Sequence, residues 1–358
     1  MPVKAAHPAQ VSQWGQALAG LDAAQRALAS APAGIARQAP FDLAVSAGQR
    51  CTEVIHQWLA ENFKLERVNE PRMVLSLDVD GVLEDWMDGF TASSVTGAAA
   101  LRLLQLGKVA VLLNTAHSRK AVEQRARQLH LFGGVAAFGG ETLDSIFDRE
   151  ERLLSHQAET QLGRLRSALR ADSTVVLDSA HDCSVRASRI VDGKPRPITG
   201  SDARRLLDQL QIYELTFWVA PNYTDFVDRS IDKGMGIDRL RKTLGLSSLP
   251  LAAMGDGACD IPMLKMAQFA FVPAATLPAY VPSKRQRLFR SRFLGAQALW
   301  EGACQLVPDS ALQRQVLAIT DEVAAPDWMP ETLRTPPITS RGLLPRLATV
   351  LSNRYRNH

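Results

Sequence analysis

The run Met73-Val74-Leu75-Ser76-Leu77-Asp78-Val79-Asp80-Gly81-Val82-Leu83 constrains this chain more than any other segment. Five mostly apolar residues lead directly into two carboxylates one residue apart, then into a glycine. A short apolar run bounded by turn residues fits a fully buried strand. Such a strand delivers Asp78 and Asp80 to the carboxyl edge of a sheet, where open α/β folds bind ligands. Two acids so close repel each other unless a cation or a shared proton is present. Oxygen ligands of this kind suit a hard metal such as Mg²⁺. A plain acidic turn would use the same residues, because Asp and Gly are ordinary turn formers.

The surrounding pattern places this strand in a parallel sheet. Ser94–Leu106 reads as a helix, Val109–Leu113 as a buried strand, Ser118–Leu129 as a helix and Gly134–Phe138 as a short strand. Strands alternating with helices at this spacing mean βαβ units. Residues 145–228 break the rhythm: a long charged helix is expected over 143–171, followed by strands at Thr174–Asp178, Cys183–Val191, Leu215–Ala220 and Thr224–Asp228. A helix at Ser201–Gln211 interrupts them. These strands alternate polar and apolar, as a half-exposed antiparallel sheet does. The βα rhythm returns with a helix after Lys233 and the strand Leu251–Met254. The expected organisation is a core of 71–144 and 229–284, an inserted α/β domain of 145–228, and helical extensions at 1–70 and 285–358. In the first extension, helices are expected at Val11–Ala29 and Asp42–Phe63, and Lys284, Arg285, Arg287, Arg290 and Arg292 read as a solvated helix face.

Composition excludes several alternatives. At 358 residues the chain has room for two or three domains, and a net charge of +4 is too mild to argue for nucleic acid. Its four cysteines form no Cys-x-x-Cys pair, so neither a zinc site nor a disulfide framework is suggested. The first residues lack the apolar core of a signal peptide, and no apolar run reaches the roughly 18 residues of a membrane span. A cytoplasmic protein without nucleic-acid or membrane partners is expected.

Three further elements join the first acid pair. Thr115 ends the Val109–Leu113 strand and precedes a helix, where a hydroxyl and free N–H groups suit a phosphate oxygen. A helix cap would serve equally. Lys233 precedes a helix and could neutralise phosphate charge, although a surface lysine reads the same way. Gly255-Asp256-Gly257-Ala258-Cys259-Asp260 follows the strand Leu251–Met254 and brings two more acids to the same edge. Taken in order, these segments resemble the haloacid dehalogenase superfamily of phosphotransferases over roughly 71–280. Asp78-Val79-Asp80-Gly81 matches its first motif, Thr115 its second, Lys233 its third, and Gly255-Asp256 with Asp260 its fourth. The 145–228 insertion resembles the α/β cap of the branch that holds the sugar phosphatases and phosphomannomutase.

The resemblance implies a Rossmann-like parallel-sheet core with an inserted α/β cap, and a Mg²⁺-dependent phosphatase acting on a small phosphorylated metabolite, above all a sugar phosphate. Asp78 would attack phosphorus, and Asp80 would protonate the leaving alcohol and then activate water. Thr115 and Lys233 would bind the phosphoryl group. Mg²⁺ would be held by Asp78, Asp80 through its carbonyl, and Asp256, with Asp260, Ala116 and Gly81 in support. Trp86, His117, Arg186, Arg189, Asn222 and Tyr223 are polar or aromatic candidates for touching substrate. The chain departs from the family at Thr115-Ala116-His117, where many relatives have Thr-Gly-Arg, at Gly139-Gly140-Glu141 and at Cys259. A phosphomutase would use the same residues, and a non-catalytic scaffold could keep the fold. The extensions could brace the core or form a homodimer surface.

Overall fold

The computed structural model describes residues 8–32, 35–136, 141–144, 149–278, 287–323 and 325–338. Expectations for Phe138, Gly139, Gly140, Lys284, Arg285 and 339–358 lie outside them. The chain opens with a helical hairpin, α1 (Pro8–Ser30) and α2 (Gln38–Phe63). There follow β1 (Met73–Leu77), the small hairpin β2 (Glu84–Trp86) and β3 (Thr91–Ser93), α3 (Val95–Leu106), β4 (Val109–Thr115), α4 (Arg119–Gln128) and β5 (Gly133–Ala136). Next come β6 (Glu141–Asp144), β7 (Arg149–Arg152), α5 (His156–Ala171), β8 (Val175–Leu177), β9 (Val185–Val191), β10 (Lys194–Pro197), α6 (Gly200–Gln209), β11 (Leu215–Val219) and β12 (Thr224–Asp228). The chain then runs through α7 (Lys233–Thr243), β13 (Leu251–Met254), α8 (Ile261–Met266), β14 (Phe269–Val272), β15 (Leu288–Arg290), α9 (Gly295–Leu306) and α10 (Ser310–Glu322).

Eight strands form the core sheet in the order β15-β14-β13-β1-β4-β5-β6-β7. Pairing is parallel from β15 to β5 and antiparallel for β6 and β7. The central strands read as near-continuous apolar runs because both faces of the sheet are covered. Successive side chains of β1 and β4 serve opposite layers. Leu75, Leu77, Val109, Val111 and Leu113 join one cluster, whereas Val74, Ala110 and Leu112 join the other with Ile237, Leu240, Met263 and Leu264 of α7 and α8. Register does the rest. Leu77 pairs with both Leu113 and Met254, so Asp78, Asn114 and Gly255 lie at the same level along their strands.

The two terminal segments are not appendages. Trp14, Leu21, Cys51, Ile55, Trp58, Leu59 and Phe63 of α1 and α2 share one apolar cluster with α3, Leu299 and Trp300 of α9, and Met329 and Leu333 beyond α10. The Trp328 ring lies 5.4 Å from that of Trp14 and 6.5 Å from that of Trp58, tying α1 and α2 to the segment that follows α10. One apolar face of each of these helices thus packs within the chain, while Val11, Leu18 and Leu43 stay exposed.

The structure corrects two expectations. The helix expected over 143–171 starts only at His156, where Ser155 caps it by accepting from the Ala158 N–H; β6 and β7 occupy the preceding stretch and widen the core sheet. Charged residues in β7 suit a sheet edge, which native proteins protect with charge. The basic residues near 290 do not form a helix face. Arg290 belongs to β15 and donates to the carbonyls of Ala274 and Thr276, Arg292 pairs with Glu301, and Arg287 lies over the Phe269 ring.

The inserted domain is an antiparallel sheet in the order β10-β9-β12-β11, with β8 also paired to β9. Leu162, Leu165 and Leu169 of α5 and Leu207 of α6 pack on Val185, Ala187 and Phe226. Arg186 and Asp225, paired across β9 and β12, alternate to the opposite face. Because Trp58 is buried where both chain ends meet the core, Trp58→Ala is expected to cost about 3–5 kcal/mol of unfolding free energy, measured by urea denaturation.

Candidate active site

Four acids, one lysine and one histidine converge beyond the carboxyl ends of β1, β4 and β13. The Asp78 N–H donates to the Met254 carbonyl at 3.0 Å, which anchors the first residue past β1 to β13. Asp78 Oδ1 accepts from Lys233 Nζ at 2.8 Å and from the Val79 N–H at 2.8 Å. Lys233 Nζ also donates to Asp260 Oδ1 at 2.5 Å. Asp260 Oδ2 in turn accepts the N–H groups of Asp256 and Gly257, at 2.9 and 2.8 Å, and so shapes the loop that carries Asp256. Lys233 itself is aimed by Asn114, whose Nδ2 donates to the Lys233 carbonyl at 2.8 Å and to Ser76 Oγ at 3.1 Å.

Gly81 has φ +75°, and a Cβ there would come within 2.5 Å of Asp256 Oδ2. The glycine that follows the first acid pair is therefore required twice, by a left-handed backbone and by the close approach of the second pair.

Charge at this edge is unbalanced. Asp78, Asp256 and Asp260 place ligand atoms within 4.8 Å of one another and share the single ammonium of Lys233. Burial alone would lower Lys233, but Asp260 and Asp78 outweigh it and hold its ammonium well above the usual lysine range. Burial, then Asp260, pushes the Asp78 carboxyl well up. The same two causes push Asp256 up to about 6. Three carboxylates on one cation leave an excess of negative charge in an all-oxygen donor set, which fits a divalent hard cation.

The second acid of the first pair has a different environment. Asp80 Oδ1 lies 3.1 Å from His117 Nε2. Burial opposes its charge, yet His117, Arg125 and Arg186 together hold its carboxyl down at about 2. Thr115 is fully buried and its Oγ1 accepts the His117 N–H at 3.3 Å. Ala116 contributes its carbonyl, which accepts from Arg186 Nη2 at 2.8 Å across the boundary between cap and core. Arg186 also grips Asp225 with two hydrogen bonds of 2.8 Å and lies 3.7 Å above the Tyr223 ring. Burial pushes the Tyr223 hydroxyl well above its usual range; Arg186 opposes this, and Asp80, Asp225 and Asp78 add to it.

Among the described residues, Trp86, Asn222 and Arg189 make no hydrogen bond to these acids. Trp86 is 51% exposed at the end of β2. Asn222 is exposed between β11 and β12, and its contact is a carbonyl accepting from Ser188 Oγ at 2.9 Å. Arg189 turns to Asp202 at 3.5 Å, within the cap. Asn114 and Asp225 were not anticipated; polar residues inside the apolar run of β4 and the alternating run of β12 were the available signals.

Nor was the wholly buried network beside Asp80. Glu84 is held by Arg125 through bonds of 2.7 and 2.9 Å, accepts from Thr91 Oγ1 at 2.5 Å and lies 3.4 Å from His56 Nε2. His56 and Arg125 lie 28 and 41 positions from Glu84 in the chain, too far for any local motif to announce.

With this geometry in place, likeness to known proteins becomes informative. Residues 199–272 match the model of the haloacid dehalogenase-like hydrolases. A haloacid dehalogenase-like hydrolase from Bacteroides thetaiotaomicron superposes on 65% of this chain and 99% of its own length, with a TM-score of 0.50 at 12% identity. The chain has the haloacid dehalogenase-like fold. A Thermoplasma acidophilum protein of the same fold covers 66% of this chain and 99% of its own, with a TM-score of 0.52 at 14% identity. A curated phosphoglycolate phosphatase of Methanothrix thermoacetophila is 34% identical over 80 residues. That match is 22% of this chain and spans a third (33%) of the curated relative's length. The family-model match contains Lys233, Asp256 and Asp260, while Asp78, Asp80 and Thr115 join them through the sheet register.

The buried network also sets a pH dependence. His56 accepts the Ser93 N–H on Nε2, and burial lowers its pKa to about 4. The unfolded chain binds a proton at this residue near pH 6.5, and the folded chain does so only near 4. Stability is therefore expected to fall as pH drops from about 6.5 to 4, by up to about 3 kcal/mol from this group. Urea denaturation at stepped pH, with His56→Gln as the variant that flattens the slope, checks this.

Proposed function

We propose that this chain is a Mg²⁺-dependent phosphoric monoester hydrolase acting on a small phosphorylated metabolite, with sugar phosphates the best match to its polar cap. The observation that carries the reading is the Asp78–Lys233–Asp260 chain of contacts with Asp256 beside it, at the carboxyl edge of β1 and β13. The phosphoglycolate phosphatase relative supports the phosphatase class. The position of the α/β cap, between Thr115 and Lys233, supports the sugar-phosphatase branch.

Asp78 Oδ1 is held by Lys233 and by the Val79 N–H, so Oδ2 is the nucleophilic oxygen. It forms a bond to phosphorus as the bond from phosphorus to the leaving alcohol breaks. Asp80 gives that alcohol its proton. A phosphate dianion beside Asp80 opposes the influence of His117 and the two arginines and lets the carboxyl carry a proton into the site. In the second step Asp80 takes a proton from water, the water oxygen bonds to phosphorus, and the Asp78–phosphorus bond breaks to release inorganic phosphate. One group serves both steps by microscopic reversibility. The Thr115 hydroxyl, whose oxygen accepts from His117, keeps its hydrogen for a phosphate oxygen, and Lys233 balances charge as it develops. Asp78, Asp256 and the Asp80 carbonyl would hold Mg²⁺, which supplies charge neutralisation to the phosphoryl oxygens.

Asp78→Asn is expected to lower kcat at least about 10³-fold, with KM little changed, on a panel of phosphomonoesters assayed for phosphate release; unchanged turnover would exclude Asp78 as nucleophile. Mg²⁺ at a hundred times its Kd is expected to add about 2.7 kcal/mol of stability near pH 7.5. A thermal melt reads this as a rise in Tm that Asp256→Asn abolishes.

A further inference from the structure

One helix touches both the core and the cap. The later turns of α2 belong to the core: Ile55, Trp58, Leu59 and Phe63 are buried in its main cluster, and Thr52 Oγ1 donates to the Thr91 carbonyl at 2.6 Å. The first turns of the same helix belong to the cap. The Gln38 side chain donates to the Leu177 carbonyl at 2.5 Å and accepts the Leu177 N–H at 2.9 Å. It therefore closes the open edge of β8 as a neighbouring strand would. Phe41, with Leu28 of α1, packs on Val176 of β8 and Ile190 of β9 in an apolar cluster separate from that of the core. Asp42 Oδ1 accepts from Ser179 Oγ at 3.0 Å, and Arg37 donates to the Ile190 carbonyl at 3.4 Å. Gly193, at φ +73°, is where a Cβ would come within 3.0 Å of Ala29, so the β9–β10 turn lies directly against the end of α1.

An inserted domain is joined to its host by two chain crossings, here the segments on either side of 155–228. Two crossings make a hinge, and domains on such hinges open and close on substrates. The α1–α2 hairpin adds a third attachment that is not part of the hinge. It is a stiff one, since α2 is an unbroken helix of 26 residues, about 39 Å long. Along β9 the cap is held at two points. Arg186 donates to the carbonyl of Ala116, the residue after Thr115, and Ile190, about 13 Å further along the strand, packs on α1 and α2. A swing of the cap that freed Arg186 would have to part the Phe41 cluster and break both Gln38 bonds.

We propose that the N-terminal helical hairpin straps the cap over the Asp78–Asp80 edge and thereby sets an upper size for the phosphomonoester that the site admits. The hairpin is then a specificity-determining element outside the catalytic machinery. Its size-limit clause rests on the phosphatase reading above, whereas its mechanical clause does not.

Nitroxides attached through ketone-bearing residues at the exposed positions Gln209 (cap) and Lys265 (core) report the cap–core distance by pulsed electron spin resonance on the full chain. The parent is expected to show a single narrow distribution. Gln38→Ala, which removes only the edge-closing bonds, and Phe41→Ala, which removes the apolar plug, are each expected to broaden it or add a second distance. In parallel, kcat/KM is compared for phosphoglycolate and 4-methylumbelliferyl phosphate. The parent is expected to prefer the small ester at least tenfold, and both variants to cut that preference several-fold, mainly through KM for the bulky ester. A broad parent distribution, or one unchanged in both variants, overturns the strap. Broadening with an unchanged preference overturns the size limit. Absence of turnover in parent and variants alike removes the phosphatase reading, while the distance data still decide whether the hairpin holds the cap.

Discussion

Lys233 is a fully buried ammonium shared between Asp78 and Asp260, and the arrangement of the whole carboxyl edge depends on it. An isolated charge at that depth is costly, and so are the acids around it. Together they are tolerable because each is hydrogen-bonded and the geometry is held from several sides. Asn114 fixes the Lys233 carbonyl, the Met254 carbonyl fixes Asp78, and Asp260 accepts two backbone N–H groups of the loop that bears Asp256. The one lysine cannot balance three carboxylates. That leftover negative charge suits a divalent cation.

Around this centre the chain builds a layered support. The core sheet is covered on one face by α7 and α8 and on the other by helices from both ends of the chain. The buried Glu84–Arg125 pair, with Thr91 and His56, links the β2–β3 hairpin to α4 and α2 immediately beside Asp80. The first acid pair is thereby connected to the N-terminal hairpin, which in turn reaches the cap. Acidic edge, flanking hairpin, terminal helices and cap form one continuous set of contacts.

Much of this was readable in advance, and for identifiable reasons. Met73–Leu77, Val109–Leu113 and Leu251–Met254 are central parallel strands, apolar along their length because both faces are covered, so their ends could be located within a residue or two. The acids and Thr115 lie directly at those ends, which is why Asp78, Asp80, Thr115 and Asp256 could be named as candidates. The cap strands were visible through alternation. The edges were harder. β7 is short and fully charged, and β15 is three residues among arginines; neither carries an apolar pattern, and only pairing to a neighbouring strand makes them strands.

What the sequence by itself determined is therefore the parallel-sheet core, the insertion between Thr115 and Lys233, and the acids placed at strand ends, because strand period and turn residues are local properties. What only the tertiary structure decided is who meets whom. The Asp80–His117 contact, the Arg186 bridge from cap to Ala116, the Glu84–Arg125–His56 network and the seating of α2 on both core and cap join residues tens of positions or more apart. Such contacts follow from register, layer packing and helix direction, which no single segment encodes. The same reason explains the terminal helices: their apolar residues call for something to pack on, and only the assembled core and cap show which of them are covered within the chain.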